Sequence, residues 1–218
     1  SADERERADR FRFEDDRRRY VVGRGVLRAL LGHCTGIEPH RLAFGYSEHG
    51  KPALVDPGGP VPLAFNVSHS GRWVLIGITR GRTVGVDLER IRPVADLEAI
   101  AMRHFTAAEA ARILSLHGER RTMAFFACWT RKEACVKAEG AGLSKPLDRF
   151  EVSVLPEDAV GRVRAGDVSG PGPTHWTLWS LAPEPGYLAA VVAGAPDGTL
   201  VPRKWNSAGI EHWSSSSP

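Results

Sequence analysis

The chain has 218 residues, of which 42% are hydrophobic and 25% charged, and its formal net charge is +3. This is the composition of an ordinary globular protein; no run approaches the roughly 18 apolar residues of a membrane-spanning helix and no secretory pattern is present, so we expect a cytoplasmic protein that binds no membrane. The three cysteines form no Cys-x-x-Cys pair, which argues against a disulfide framework or a zinc site.

The N-terminal part of the chain is highly charged. The first 28 residues contain nine arginines interleaved with seven acidic residues. Mixed charges are typical of a solvated helix surface, and a nucleic-acid-binding patch would be less acidic, so we expect no nucleic-acid partner. Residues 17–34 carry apolar side chains at helical spacing and predict an amphipathic helix. A connector rich in Gly and Pro follows over residues 36–62 and contains Lys51, which by itself is an ordinary turn lysine.

A hairpin is predicted next. The stretch Ala64–Gly71 runs from a strand pattern into a turn, and Trp73–Ile78 predicts the second strand. Ser68 and His69 lie where the first strand ends. A hydroxyl, an imidazole and turn amides at this position are suited to hold a phosphate, although a Ser-His dipeptide is also common by chance.

The segment Val84–Glu89 predicts another strand, in which Asp87 and Glu89 share one face because successive side chains alternate. Asp is depleted in strands, so this acidic pair needs an explanation. An edge strand with a solvated face is one explanation. A magnesium site is the other, because Mg²⁺ prefers carboxylate oxygens and usually retains waters and substrate phosphate.

Three helices are predicted after this strand. Residues 96–105 form the first, and the capping box Thr106–Glu109 begins the second, which extends to about His117. The third follows residues 118–121, consists mostly of good helix formers and ends at the Gly140–Gly142 turn.

The third helix places Trp129, Glu133 and Lys137 at i, i+4 and i+8, in one line on one face. An isolated Glu-x-x-x-Lys is usually a solvated ion pair, so this spacing alone does not indicate a site. We expect Trp129 to pack in the core and fix the helix rather than contact a substrate.

The last part of the chain predicts three strands, Phe150–Val154, Trp176–Leu181 and Tyr187–Val192. Hairpins and helices without regular βαβ alternation indicate the α+β class. Residues 202–218 are of low complexity and are expected to be flexible or loosely docked.

Together these elements offer three carboxylates, a lysine and phosphate donors, which are the groups needed for metal-assisted phosphoryl transfer. At this point the sequence resembles the Sfp-type 4′-phosphopantetheinyl transferase family over about residues 10–195. All four motifs occur in the family's order, and the last has every family position filled, so the resemblance is specific. The motifs are Gly50–Pro52, Phe65–Ser70, Gly85–Glu89 and Trp129–Lys137.

The resemblance implies an enzyme that transfers the phosphopantetheine arm of coenzyme A to a serine of an acyl or peptidyl carrier protein and releases adenosine 3′,5′-bisphosphate, as in polyketide or non-ribosomal peptide biosynthesis. It also implies two similar α+β half-domains related by pseudo-twofold symmetry, each a small, mostly antiparallel sheet with packed helices, with the active site in the cleft between them. The halves would be residues 1–83, short at its start by the family's pattern, and residues 84–201. We expect a monomer.

The resemblance also implies roles for individual residues. Asp87, Glu89 and Glu133 would hold Mg²⁺, and Glu133 would also take the proton of the incoming serine. Lys137 would neutralise the pyrophosphate and the leaving group. The remaining phosphate contacts of coenzyme A would come from Ser68, His69, Lys51, Arg19 and Arg5 or Arg7, with His69 at the 3′-phosphate.

Two other functions are alternatives to this one. A magnesium nuclease also combines Asp, Glu and Lys, but such sites commonly set Glu and Lys at i, i+2 on a strand, whereas here Glu133 and Lys137 are four residues apart on a helix. A non-enzymatic module that binds nucleotides or carrier domains would not need three carboxylates around one metal.

Overall fold

The computed structural model describes residues 1–48, 50–55, 62–140, 146–158, 160–164, 175–194, 198–206 and 209–212. Over these residues the chain forms five α-helices and small antiparallel sheets, which confirms the predicted α+β class. None of the helices described there is long and apolar enough to span a bilayer.

The first part of the chain folds into two helices and two hairpins. These elements are α1 Ala2–Asp9, α2 Glu14–Thr35, β1 Ala43–Tyr46, β2 Pro52–Val55, β3 Leu63–Ser70 and β4 Trp73–Arg80. Helix α2 begins three residues before its predicted start, with three acidic residues in its first turn, where they complement the helix dipole. It ends at Gly36, whose φ of 74° is the left-handed conformation that glycine adopts most readily.

The connector contains a short hairpin that was not predicted. Strand β1 pairs antiparallel with β2, and the Ser47 amide donates to the Lys51 carbonyl across the turn (2.9 Å). Gly50, with a φ of 75°, lies in the turn between these two strands, and residues 56–61 of the connector lie outside the described residues. The predicted hairpin of β3 and β4 is confirmed, with Phe65 opposite Ile78.

The second part of the chain is built around a four-stranded antiparallel sheet and a long helix. Its elements are β5 Val84–Arg90, α3 Leu97–His104, α4 Ala107–Leu114, α5 Gly118–Glu139, β6 Val160–Arg164, β7 His175–Leu181, β8 Tyr187–Ala193, β9 Arg203–Asn206 and β10 Gly209–His212. The strands of the large sheet lie in the order β5-β8-β7-β6. Helix α5 ends at Gly140 (φ 76°), as predicted, and α4 ends three residues before the predicted His117.

The predicted strand Phe150–Val154 is wrong. This segment follows a short 3₁₀ turn at Leu147–Arg149, and no strand is assigned to it. Its backbone groups bond to side chains instead: the Val152 amide donates to Glu109 (2.7 Å), and the Ser153 carbonyl accepts from Arg131 (2.6 Å). Buried side chains of α4 and α5 therefore take the place of a neighbouring strand.

Part of the tail beyond residue 202, for which the sequence predicts a flexible or loosely docked segment, forms a hairpin. Strands β9 and β10 pair as an antiparallel hairpin. Lys204 lies over the Trp73 ring, 5.0 Å from its centroid, and its ammonium is 3.2 Å from the Glu184 carboxylate. These contacts dock β9 near the β3–β4 turn. Residues 207–208 and 213–218 lie outside the described residues.

Helix α5 packs directly on β5 at Gly85. A methyl group built on Gly85 would overlap the Ala134 carbonyl and the Ala138 amide, and would lie 2.8 Å from the Ala138 Cα. Since these are backbone atoms of α5, no side-chain movement would relieve the overlap. The missing side chain therefore sets how closely the helix approaches the strand.

Strands β3 and β5 belong to different sheets but lie side by side. Backbone amides of β5 donate to side chains of β3. The residue numbers of the donors and of their acceptors increase together along the two strands, so the strands run in the same direction. We call these three bonds the β3–β5 seam: Val86 N to Asn66 Oδ1 (2.9 Å), Leu88 N to Ser68 Oγ (3.2 Å) and Arg90 N to Ser70 Oγ (3.0 Å).

Candidate active site

One line of side chains on α5 is less buried than the rest of that helix. Between residues 124 and 138 every side chain is buried except Trp129, Glu133 and Lys137. These are the three residues predicted to share a face. Trp129 packs against the core cluster that contains Phe105 and Phe125, as expected for a residue that fixes the helix. Glu133 and Lys137 are therefore the polar groups that α5 presents to this face.

Lys137 reaches Asp87 of β5. Its ammonium donates to Asp87 Oδ1 at 2.6 Å, and the same oxygen accepts from the Ser68 hydroxyl at 2.9 Å. Asp87 is 4% exposed, and its second oxygen, Oδ2, is buried without a hydrogen-bond partner. A buried carboxylate oxygen without a partner is costly, so Oδ2 is positioned to accept a cation or donor.

Asp87 lies near enough to the other two predicted carboxylates, Glu89 and Glu133, to raise the pKa of each. Burial raises the pKa of Glu133, and the charges of Asp87 and Glu89 raise it further, whereas Lys137 opposes them. Burial also raises the pKa of Glu89, as does Asp87, while its hydrogen bond from Ser70 lowers it. The structure thus brings the three carboxylates and Lys137 into one region.

The carboxylates fit magnesium by their chemistry without forming a closed cage. Within the described ranges, no three His, Cys, Asp or Glu side chains are already arranged to hold a metal ion. Mg²⁺ is commonly bound by one or two carboxylates together with waters and substrate phosphates, so an incomplete protein shell with one partnerless oxygen on Asp87 suits it.

Ser68, which was predicted to bind phosphate, is hydrogen-bonded to groups of the protein. Its hydroxyl donates to Asp87 and accepts from the Leu88 amide and from Lys137 (3.3 Å), which uses its one donor and both acceptor sites. The next residue, His69, is exposed at the end of β3. Phosphate binding by Ser68 stays a prediction that would require exchange of these bonds, whereas His69 is accessible.

Lys51 is bonded to the end of α5. Its half-buried ammonium donates to the carbonyls of Val84 (3.3 Å), Lys137 and Ala138 (3.4 Å), and burial lowers its pKa. Three carbonyls use all three N–H donors of an ammonium. Phosphate binding by Lys51 stays a prediction, but these contacts assign it to the last turn of the helix that carries Lys137.

The N-terminal arginines that were predicted to bind phosphate lie on α1 and α2. Arg19 pairs with Asp16 at 3.0 Å, and Arg7 lies 5.6 Å from the centroid of the Tyr20 ring. Arg5 is exposed on α1. A cleft of about 490 Å³ beside α1 is lined by Asp3, Glu6, Arg7, Arg10, Phe11 and Tyr46. Of the predicted arginines, Arg7 lines this cleft.

Two buried basic residues beside Glu133 were missed. Arg131 and Lys132 are 1% and 0% exposed. Lys132 pairs with Glu109 at 2.8 Å and donates to the Leu147 carbonyl at 2.7 Å. Arg131 donates to Ser180 Oγ (3.0 Å) and to the carbonyls of Ser153, Leu155 and Asp158 (2.6–2.9 Å). These bonds fix the buried side of α5, so that Glu133 lies on its less buried side. Their only sequence signal is two charges on the apolar side of a helix.

Comparison with known proteins gives consistent matches over both parts of the chain. The 4′-phosphopantetheinyl transferase superfamily model matches residues 83–192, and the model of the 4′-phosphopantetheinyl transferase N-terminal region matches residues 1–80. The chain is 40% identical over 195 residues to the 4′-phosphopantetheinyl transferase HetI of Nostoc sp., which covers 89% of this chain and 78% of that relative.

Two relatives from Bacillus subtilis match at similar length. The 4′-phosphopantetheinyl transferase ffp is 36% identical over 201 residues, covering 90% of this chain and 83% of its own length. The 4′-phosphopantetheinyl transferase Sfp of strain 168 is 33% identical over 198 residues, with the same two shares of coverage.

Proposed function

This chain belongs to the 4′-phosphopantetheinyl transferase family, and from this premise we propose that it transfers the phosphopantetheine arm of coenzyme A to a serine of an acyl or peptidyl carrier protein. The reaction would depend on magnesium and release adenosine 3′,5′-bisphosphate. The observation that best supports the proposal is the Asp87–Lys137 pair, which places a partnerless carboxylate oxygen and an ammonium beside Glu133.

The proposed reaction forms one bond and breaks one. The serine oxygen attacks the phosphorus that carries the pantetheine arm, and the bond from that phosphorus to the bridging pyrophosphate oxygen breaks. Glu133 accepts the serine proton, directly or through water; burial raises its pKa and so makes it a better base than an exposed carboxylate. The electron pair of the broken bond leaves with adenosine 3′,5′-bisphosphate.

The site must mainly stabilise negative charge, because the leaving group becomes more negative as the bond breaks. Lys137 would stabilise that charge from a position that Asp87 already fixes. Asp87, Glu89 and Glu133 are the residues that would hold magnesium, which when bound would neutralise the pyrophosphate. His69 and Arg19, with Arg5 or Arg7, would contact the nucleotide end. Lys51 and Ser68 would join them only by exchanging their present bonds.

A release assay tests this proposal against the nuclease and binding-module alternatives. The protein is incubated with coenzyme A, magnesium and an apo carrier domain, and adenosine 3′,5′-bisphosphate is measured by chromatography. We expect release that needs the carrier, stops in excess chelator and returns with added magnesium. Undiminished release in excess chelator would contradict the metal assignment, and release without the carrier or cleavage of nucleic acid would contradict the transferase assignment.

A further inference from the structure

The β3–β5 seam contains two kinds of side chain. Asn66, Ser68 and Ser70 each accept one backbone amide of β5. The two serines then donate their hydroxyl protons onward: Ser68 to Asp87 (2.9 Å) and Ser70 to Glu89 (3.0 Å). The Asn66 side chain accepts from the Val86 amide and bonds no carboxylate of the described residues. The seam therefore joins the two strands at three points and reaches the carboxylates at two of them.

A serine in this position has a fixed proton. An ionised carboxylate has no proton to give, so the hydroxyl bonds it by donating, while the serine oxygen accepts an amide of β5. The carboxylate is thereby oriented by β3, a strand outside its own sheet. Hydrogen-bond partners of this kind fix the direction of a metal ligand and commonly change metal affinity when removed.

Glu89 depends on its serine more than Asp87 does. Asp87 Oδ1 also bonds Lys137 at 2.6 Å, so it keeps a partner if Ser68 is lost. Glu89 accepts a hydrogen bond from Ser70 at 3.0 Å, and its ion-pair partner, Arg92, is at 3.8 Å with 63% of its side chain exposed. An exposed arginine at this distance orients a carboxylate weakly.

We propose that Ser70 is a positioning residue for the transfer reaction: it holds the Glu89 carboxylate in the direction that binds magnesium, through a hydroxyl locked by the Arg90 amide. Ser70 was not among the predicted site residues. This inference rests on the proposed function, because the proposed function makes Glu89 a magnesium ligand.

Metal binding can be measured without turnover. Mn²⁺ replaces Mg²⁺ as the probe, and its binding to the protein in the presence of coenzyme A, without a carrier, is followed by electron paramagnetic resonance. We expect Ser70→Ala to weaken Mn²⁺ binding about 10-fold or more, as for other residues that orient metal ligands. Ser70→Thr, which keeps the hydroxyl and suits a strand, should bind within about 2-fold of the wild type.

Asn66→Ala is the matched control, because it removes a seam bond of the same kind that ends on no carboxylate. It should lower the melting temperature and leave Mn²⁺ affinity within about 2-fold of the wild type. Three results would overturn the positioning role of Ser70 and leave the metal site standing. They are an Mn²⁺ affinity of Ser70→Ala equal to that of the wild type, a loss of affinity in Asn66→Ala as large as in Ser70→Ala, and weak Mn²⁺ binding by Ser70→Thr. A wild-type protein that binds no Mn²⁺ would overturn the proposed metal site as well.

Discussion

Lys137 bonds the buried Asp87 carboxylate and would also stabilise the leaving group, and a substitution can test the second role. The Lys137 side chain is 30% exposed on the open face of α5, whereas its partner Asp87 is buried. We expect Lys137→Ala to lower the rate of transfer at saturating substrate by about 10²-fold or more, because the charge of the leaving group would lose its partner. Steady-state kinetics would check this, with the exposed Arg103→Ala on α3 as control. A variant with normal kcat and impaired binding of coenzyme A alone would make Lys137 a plain binding residue.

Lys51 is open to a test between two roles. If its ammonium holds the last turn of α5, as its bonds to the Lys137 and Ala138 carbonyls indicate, then Lys51→Ala should weaken intact and 3′-dephosphorylated coenzyme A to a similar degree. If it grips the 3′-phosphate, the variant should lose affinity for intact coenzyme A and hardly any for the dephosphorylated form. We expect the first result, measured by titration calorimetry with both ligands.

The approach of α5 to β5 tolerates no side chain at Gly85. We expect Gly85→Ala to destabilise the protein by several kcal/mol, at or above the roughly 1–3 kcal/mol typical of overpacking, because the methyl group would meet backbone rather than a movable side chain. Gly25→Ala in α2 is the control: apart from its own turns of helix, no atom of the described residues lies within 4 Å of the new methyl group. Ala also favours a helix by about 1 kcal/mol over Gly. Thermal melting of both variants checks the contrast, and equal melting temperatures would contradict it.

The Lys132–Glu109 pair is a structural counterpart to the reactive face of α5. Both side chains are almost fully buried, at 0% and 4% exposure. Lys132→Met should cost about 3–5 kcal/mol, because it leaves a buried carboxylate without its cation, and Lys132→Met with Glu109→Gln should recover part of that loss. Denaturant unfolding measures both values. A double variant no more stable than Lys132→Met would show that the ion pair itself carries little of the effect.

Local patterns predicted the elements that carry the chemistry. The i, i+4, i+8 spacing of Trp129, Glu133 and Lys137 and the alternation around Asp87 are properties of a single helix and a single strand, so the sequence contains them directly. The β3–β4 hairpin follows from two apolar runs and a turn. Each of these features appears in the structure.

Long-range side-chain bonds were beyond that kind of inference. Residues 150–154 have a strand pattern, but Glu109 and Arg131, about 20 to 45 residues earlier in the chain, satisfy their backbone groups. Nothing in the local pattern distinguishes a carbonyl that meets a strand from one that meets a buried guanidinium. Ser70 was missed for the same reason, since its role depends on a strand in another sheet.

Across the whole molecule, the candidate site lies where two sheets and one helix meet. Strand β3 supplies the hydroxyls, β5 the Asp87 and Glu89 carboxylates, and α5 the Glu133 and Lys137 side chains. The β3–β5 seam and the contact at Gly85 fix these three elements against one another. Such an arrangement holds charge in place before a substrate arrives, which is what electrostatic stabilisation of a transition state requires.

The measurement that tests the central claim most directly is the intact mass of an apo carrier domain after incubation with this protein, coenzyme A and magnesium. We predict a mass increase of one phosphopantetheine group, absent when the carrier's acceptor serine is replaced by alanine and slowed by about 10²-fold or more with Glu133→Gln, which keeps the side-chain shape but removes the base. A carrier that keeps its apo mass here, while a known transferase modifies the same sample, would contradict the account.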